Sequence, residues 1–140
     1  MRILALLLGL WPLPAWAWTF SPLPICTLEQ ATETGTTRVT FDPSTGIYAI
    51  ALTRPDGWPP APVFSIRFEG GAPLTISTPR HVIDGATLTV TDRGFGNVLA
   101  GLEFNATATA ILGETIFPMD LTGAAEPVRA FRACPAAGLA

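Results

Sequence analysis

The sequence predicts a mainly β protein: a single-domain antiparallel β-sandwich or partial barrel of about seven strands. One or two short helices accompany them, the last at the C-terminus. Three observations carry this expectation. Short runs rich in Thr, Val, Ile and Phe alternate apolar with polar residues at period two. Turn residues (Gly, Pro, Asp) punctuate those runs at short intervals. Two cysteines, Cys26 and Cys134, stand far apart with most of the chain between them.

The chain of 140 residues has room for one domain. Its first residues, MRILALLLGLWPLPAWA, place one cation at Arg2 before an apolar run from Ile3 to Leu10. Pro12 and Pro14 break that run, and Ala15-Trp16-Ala17 has the small-x-small pattern of a signal-peptidase site. Residues 1–17 therefore read as a signal peptide, with a mature domain over 18–140 beginning at Trp18. The apolar run is too short for a permanent membrane span. The protein is expected in the periplasm or outside the cell, with no membrane span after cleavage.

In such a compartment an even pair of cysteines reads as a disulfide. A Cys26–Cys134 bridge closes most of the mature domain into one loop, worth about 4–5 kcal/mol by loop entropy. Leu23-Pro24-Ile25 lacks the small residue that a lipidation signal needs ahead of its cysteine, so Cys26 is not read as a lipid anchor.

Along the chain, Trp18 to Pro24 reads as a proline-punctuated lead-in, and Ile25 to Glu29 as a short first strand. Thr36–Phe41 and Ile47–Thr53 flank Asp42-Pro43-Ser44-Thr45-Gly46, in which Pro43 presets φ and Gly46 can take a positive one. That is a β-hairpin. Tyr48, Ile50 and Leu52 face one way and Ile47, Ala49 and Ala51 the other, so the second strand reads as central. After the rigid RPDGWPPAP loop, Phe64, Ile66 and Phe68 alternate with Ser65 and Arg67. Gly70-Gly71 turns the chain. Leu74–Thr78 and Thr87–Thr91 are amphipathic strands expected to pair across the PRHVIDGA loop. Residues 106–112 read either as a helix capped by Asn105 or as a strand, with Gly113 in the left-handed position. Thr115–Leu121 reads as extended. Thr122 is expected to cap a last helix that buries Val128 and Phe131 and ends at Cys134.

The charges exclude some functions. Eight basic residues face eleven acidic ones, for a net charge of −3, and none of the basic residues is lysine. The mature arginines (Arg38, Arg54, Arg67, Arg80, Arg93, Arg129, Arg132) are scattered singly, without the basic stripe that a phosphate backbone requires, so no nucleic-acid partner is expected. A Walker loop needs a lysine. Asp92-Arg93-Gly94-Phe95-Gly96-Asn97 opens like a dinucleotide-binding turn, but the GxGxxG spacing fails at Leu99. This run reads instead as a turn with positive φ at Gly94 or Gly96, fixed by an Asp92–Arg93 contact.

His81 is the only histidine, and with both cysteines committed no metal site is expected. Ser77 and Asp84 lie near it, but Ser77 falls on a strand rather than on the sharp elbow that exposes a nucleophile. No catalytic residue and no cofactor are assigned. The candidate binding residues are Trp58, on its rigid loop, with His81, Arg93 and Phe95. A non-enzymatic binding or interaction module is expected, with an unknown protein or a small-molecule envelope ligand as partner. The alternatives are a small periplasmic hydrolase using His81 and Asp84, and a structural envelope protein.

The stretches PICTL, WPPAPVFSIRFEGG, LTISTPRH, ATLTVTDRGFGNVLAGLEFN and PVRAFRACP together carry a resemblance over nearly the whole mature chain. It is to small exported proteins of high-GC Gram-negative bacteria, some of which bear the name of an excinuclease ABC component. With no lysine and no nucleotide-binding loop, this chain lacks the residues for that activity. ATATAILGETIFPMDL and LTGAAEPVRAF are similar to the closing segment of invasion-associated locus B proteins. That resemblance implies a periplasmic β-sandwich-like fold and no catalytic residue. Those proteins typically carry further internal cysteines, whereas here Cys26 and Cys134 tie the two ends.

Overall fold

Alternation of buried and exposed side chains builds two antiparallel sheets that face each other. A computed structural model describes residues 17–138, so residues 1–16 of the expected signal peptide lie outside the described residues. The first sheet has six strands: β1 (Thr19–Ser21), β2 (Cys26–Thr32), β3 (Gly35–Asp42), β4 (Ile47–Thr53), β7 (Val82–Asp84) and β8 (Thr87–Asp92), in the order β1-β2-β3-β4-β8-β7. The second has four: β5 (Phe64–Glu69), β6 (Leu74–Thr78), β9 (Thr107–Leu112) and β10 (Thr115–Asp120), in the order β10-β9-β5-β6. Helix α1 (Gly96–Glu103) links β8 to β9, and α2 (Ala125–Gly138) closes the described chain.

The mainly β expectation holds, and among the described residues there are ten strands rather than the expected seven or so. The Asp42–Gly46 hairpin forms, with Gly46 at φ 72° and both Thr45 and Gly46 amides donating to the Asp42 carbonyl. β4 is central, between β3 and β8. Gly113, at φ 61°, turns β9 into β10.

The sheets meet over a core that the period-two pattern specifies. β2 contributes Leu28, β3 Val39, β4 Ile50 and Leu52, and β8 Leu88, all buried. In the second sheet the rows run large–small–large: Ile66–Ala110–Phe117 and Phe68–Ala108–Met119. Alanines in the middle strand let the flanking rings and chains close over it. At Gly101 of α1 a Cβ would stand 2.5 Å from the Phe68 ring, so this glycine seats the helix directly on the sheet.

Cys26 and Cys134 are bonded, with Cα atoms 6.1 Å apart across a separation of 108 residues. The bridge joins β2 to α2. Val128 and Phe131 of α2 are fully buried, as their spacing predicts. Glu103, its side chain only 7% exposed, receives Arg129 at 3.5 Å and Arg132 at 3.3 Å, tying α1 to α2.

Several expectations are corrected. Leu74–Thr78 and Thr87–Thr91 do not pair, since β6 and β8 belong to different sheets. Amphipathic alternation says which face is buried but not which strand is the neighbour, and β7 takes the β8 edge through a hairpin at Gly85. Residues 107–112 are strand, because β9 gains hydrogen-bonded partners on both sides, β5 and β10. The helix precedes them, and Asn105 does not cap it: its Nδ2 donates to the carbonyls of Ala72 and Gly101. The lead-in contains β1, paired with β2. Thr122 does not cap α2; its amide is held by Asp120 Oδ1 at 2.9 Å, and the helix starts at Ala125. Nor does Cys134 end α2, which runs to Gly138. Neither Gly94 nor Gly96 has positive φ.

Candidate functional site

β6 is the last strand of its sheet, and β8 stands second from the end of the other. Between them the sandwich is not filled. A groove of about 480 Å³ lies there, walled by Ile76, Ser77 and Thr78 of β6, by Val90 and Asp92 of β8, and by the segment from Gly94 to Val98. Under it a small apolar recess of about 40 Å³ reaches Ile50, Phe64 and Ile66. The floor is thus apolar and the rim polar, the usual make-up of a ligand cleft.

The rim is fixed by local bonds. Arg80 reaches Asp92 across the mouth, Nη2 to Oδ2 3.8 Å, while the Arg80 amide donates to Thr78 Oγ1 at 3.1 Å. The Arg93 amide donates to Asp92 Oδ1 at 2.7 Å, so the expected Asp92–Arg93 contact is present. Phe95 lies beneath, 4% exposed, and its ring stacks on Tyr48 at 5.4 Å between centroids. Its carbonyl accepts the Leu99 amide and so starts α1. A Cβ at Gly94 or Gly96 would meet nothing within 4 Å. Since neither position needs positive φ, what glycine contributes here is the missing side chain, which leaves the mouth open.

The four binding candidates do not converge. Phe95 forms groove floor. Arg93 points away from it, Nη1 donating to the Thr45 carbonyl at 3.4 Å. Trp58 is a core residue, 5% exposed: it stacks on Phe117, lies edge-on to Phe64, carries Arg54 above its ring and donates Nε1–H to the Leu52 carbonyl. His81 lies under the proline-rich loop, with Nε2 2.9 Å from the Ala61 carbonyl and its ring against Phe64. Ser77, His81 and Asp84 form no relay. Ser77 Oγ bonds Ser65 Oγ at 2.7 Å, and Asp84 is exposed on β7. Among the described residues no group of three or more His, Cys, Asp or Glu side chains could hold a metal ion.

Sequence reasoning missed the apolar groove residues Ile76, Val90 and Val98. The period of β6 and β8 marks Ile76 and Val90 as inward-facing, while Val98 stands on α1, and nothing in the pattern says that the opposite wall is absent. A second concavity, about 680 Å³, lies between the Thr32–Thr34 turn and the Thr107 and Asp120 ends of β9 and β10. It is the larger of the two, but it is a shallow dish open to solvent and contains none of the candidate binding residues.

Comparison with protein-family models, with curated proteins and with solved structures gives no match. No helix among the described residues is long and apolar enough to cross a membrane.

Proposed function

We propose that this chain is an exported, non-enzymatic binding module of the bacterial cell envelope, and that the groove between β6 and β8 is its binding site. The observation that carries this reading is the groove: an apolar floor under a rim whose two charges balance, on a scaffold stapled by a disulfide. The bridge fits an oxidising compartment, and the apolar run with Ala15-Trp16-Ala17 fits export to one. The hydroxyl and imidazole nearest the groove support binding rather than turnover, because Ser77 is tied to Ser65 and His81 to the Ala61 carbonyl.

Two measurements test this. Cell fractionation with intact mass should find a periplasmic protein that begins at Trp18 and lacks two hydrogens. Amide spectra of that mature protein, titrated with envelope extract, should shift at Ile76, Val90, Asn97 and Val98. A folded Val98→Trp variant, with its groove filled, should lose those shifts. Retention of the uncleaved leader, or extract shifts that ignore Val98→Trp, would remove the reading.

A further inference from the structure

The four sheet edges differ in a way that points to a partner. An exposed edge strand offers unpaired N–H and C=O groups to any extended chain, and folded proteins usually blunt such edges. Three edges here are blunted. β1 has three residues and is followed by Pro22; β7 also has three; β10 carries Pro118 in its middle, where no amide can be donated. The fourth, β6, has five residues and no proline inside it, with Pro73 and Pro79 just outside.

β6 pairs with β5 on one side only. Three consecutive residues of β6, Ile76, Ser77 and Thr78, line the groove. Successive side chains of a strand point to opposite faces, so a wall made of consecutive residues is a wall of main chain. The groove therefore sets the unpaired main-chain edge of β6 beside an apolar floor of Val90, Phe95 and Val98. Main-chain bonds on one wall with sockets for alternate side chains below are the two components of recognition by strand addition.

The charge at the site selects further. Arg80 and Asp92 balance each other at the mouth, so the rim presents no net charge to attract a strongly charged segment. No side chain stands at Gly94 or Gly96 to narrow the mouth, and a Cβ at either would meet nothing within 4 Å.

On this basis, and resting on the binding-module reading above, we propose that the groove takes an extended, uncharged peptide segment that adds as a fifth strand to the β6 edge. Alternate apolar side chains of that segment enter the floor between Ile76, Val90 and Val98. The bracketing prolines limit the added strand to about five residues, roughly 17 Å.

The test is a library of linear peptides without charged residues or proline, selected on immobilised mature, oxidised protein. Enriched sequences should alternate apolar with polar residues, slow amide exchange along β6, and lose binding to the folded Val98→Trp variant. N-methylation at alternate positions of an enriched peptide should weaken it about tenfold or more in one phase and little in the other, since only one set of amides faces β6. Failure to enrich any peptide, equal tolerance of both methylation phases, or shifts confined to other surfaces would overturn the inference. Envelope material that shifts the groove amides and survives exhaustive proteolysis would overturn the peptide assignment while sparing the binding reading. An extract that produces no groove-dependent shift would remove the binding reading itself.

Discussion

The two flanks of this sandwich are built from similar strands and finished in opposite ways. On the β10 flank the sheets are tied together. Trp18 Nε1 and Gln30 Nε2, from the six-stranded sheet's side, both donate to the Asp120 carbonyl at the end of β10, at 2.8 and 2.9 Å. Nearby, Phe117 stacks on Trp58, which carries the chain out of β4. On the β6 flank the Phe95 ring reaches only the groove floor, and a surface ion pair spans the mouth above it. Exposed pairs of this kind hold little energy, about 0–1 kcal/mol. One flank is held by buried rings and hydrogen bonds, and the other leaves a groove open beneath a surface ion pair.

Equal surgery on the two flanks therefore has unequal cost. Phe117→Ala removes a ring 2% exposed and stacked on Trp58, and should destabilise by about 3–5 kcal/mol. Ile76→Ala, at a half-buried wall of the groove, should cost about 1 kcal/mol, because its side chain already borders solvent. Urea unfolding of the two oxidised variants measures the difference. Equal losses would mean that the β6 flank is packed as tightly as the other and that the groove is not a void.

The glycines repeat the comparison at smaller scale. Gly101→Ala drives a methyl into the Phe68 ring, which has no exposed surface to move into, and should cost about 1–3 kcal/mol by overpacking. Gly94→Ala meets open space at a backbone that any residue can adopt, and should leave stability within about 0.5 kcal/mol. Thermal unfolding of both variants decides the matter, and a large loss at Gly94 would mean that the 93–96 segment packs against something.

What the sequence made legible follows from the range of each signal. The alternations Phe64–Ile66–Phe68 and Tyr48–Ile50–Leu52 needed only neighbouring residues to declare an inward face: all but Tyr48 are buried, and Tyr48 is half-buried against the core. The disulfide was legible from the even number of cysteines together with the compartment expected from the leader. Partnership between strands was not: β6 and β8 have the same alternation whether they pair or face each other across a gap. The tract Thr107–Leu112 was ambiguous because its small, weakly polarised residues suit either periodicity; the neighbours β5 and β10 make it a strand. Trp58 on its proline-rich loop read either as a binding anchor or, more often for such a residue, as a cap on the core's edge; the structure gives the second, with the indole buried and bonded to the Leu52 carbonyl. A groove is a missing contact, and a local pattern does not encode what is missing.

The smallest effect concerns the tied flank again, and its direction follows from Asp120. The Thr122 amide donates to the Asp120 carboxylate, and this bond holds the carboxyl below its ordinary value. A carboxyl with a depressed folded value contributes stability that is complete above the unfolded value and is lost as pH falls through the folded one. The contribution should therefore be present at neutral pH and fade below about pH 4. Asp120→Asn keeps an oxygen for the Thr122 amide but cannot titrate, so its unfolding free energy should fall less steeply than wild type between pH 4 and pH 2. A carbon-detected titration of the Asp120 carboxyl reads the same event directly. Because the side chain is exposed the difference will be slight, and it should leave the amides of Ile76 and Val98 unmoved, since the pH-sensitive contact lies on the flank away from the groove. Acid-induced shifts at those groove amides that vanish in Asp120→Asn would show the two flanks to be coupled.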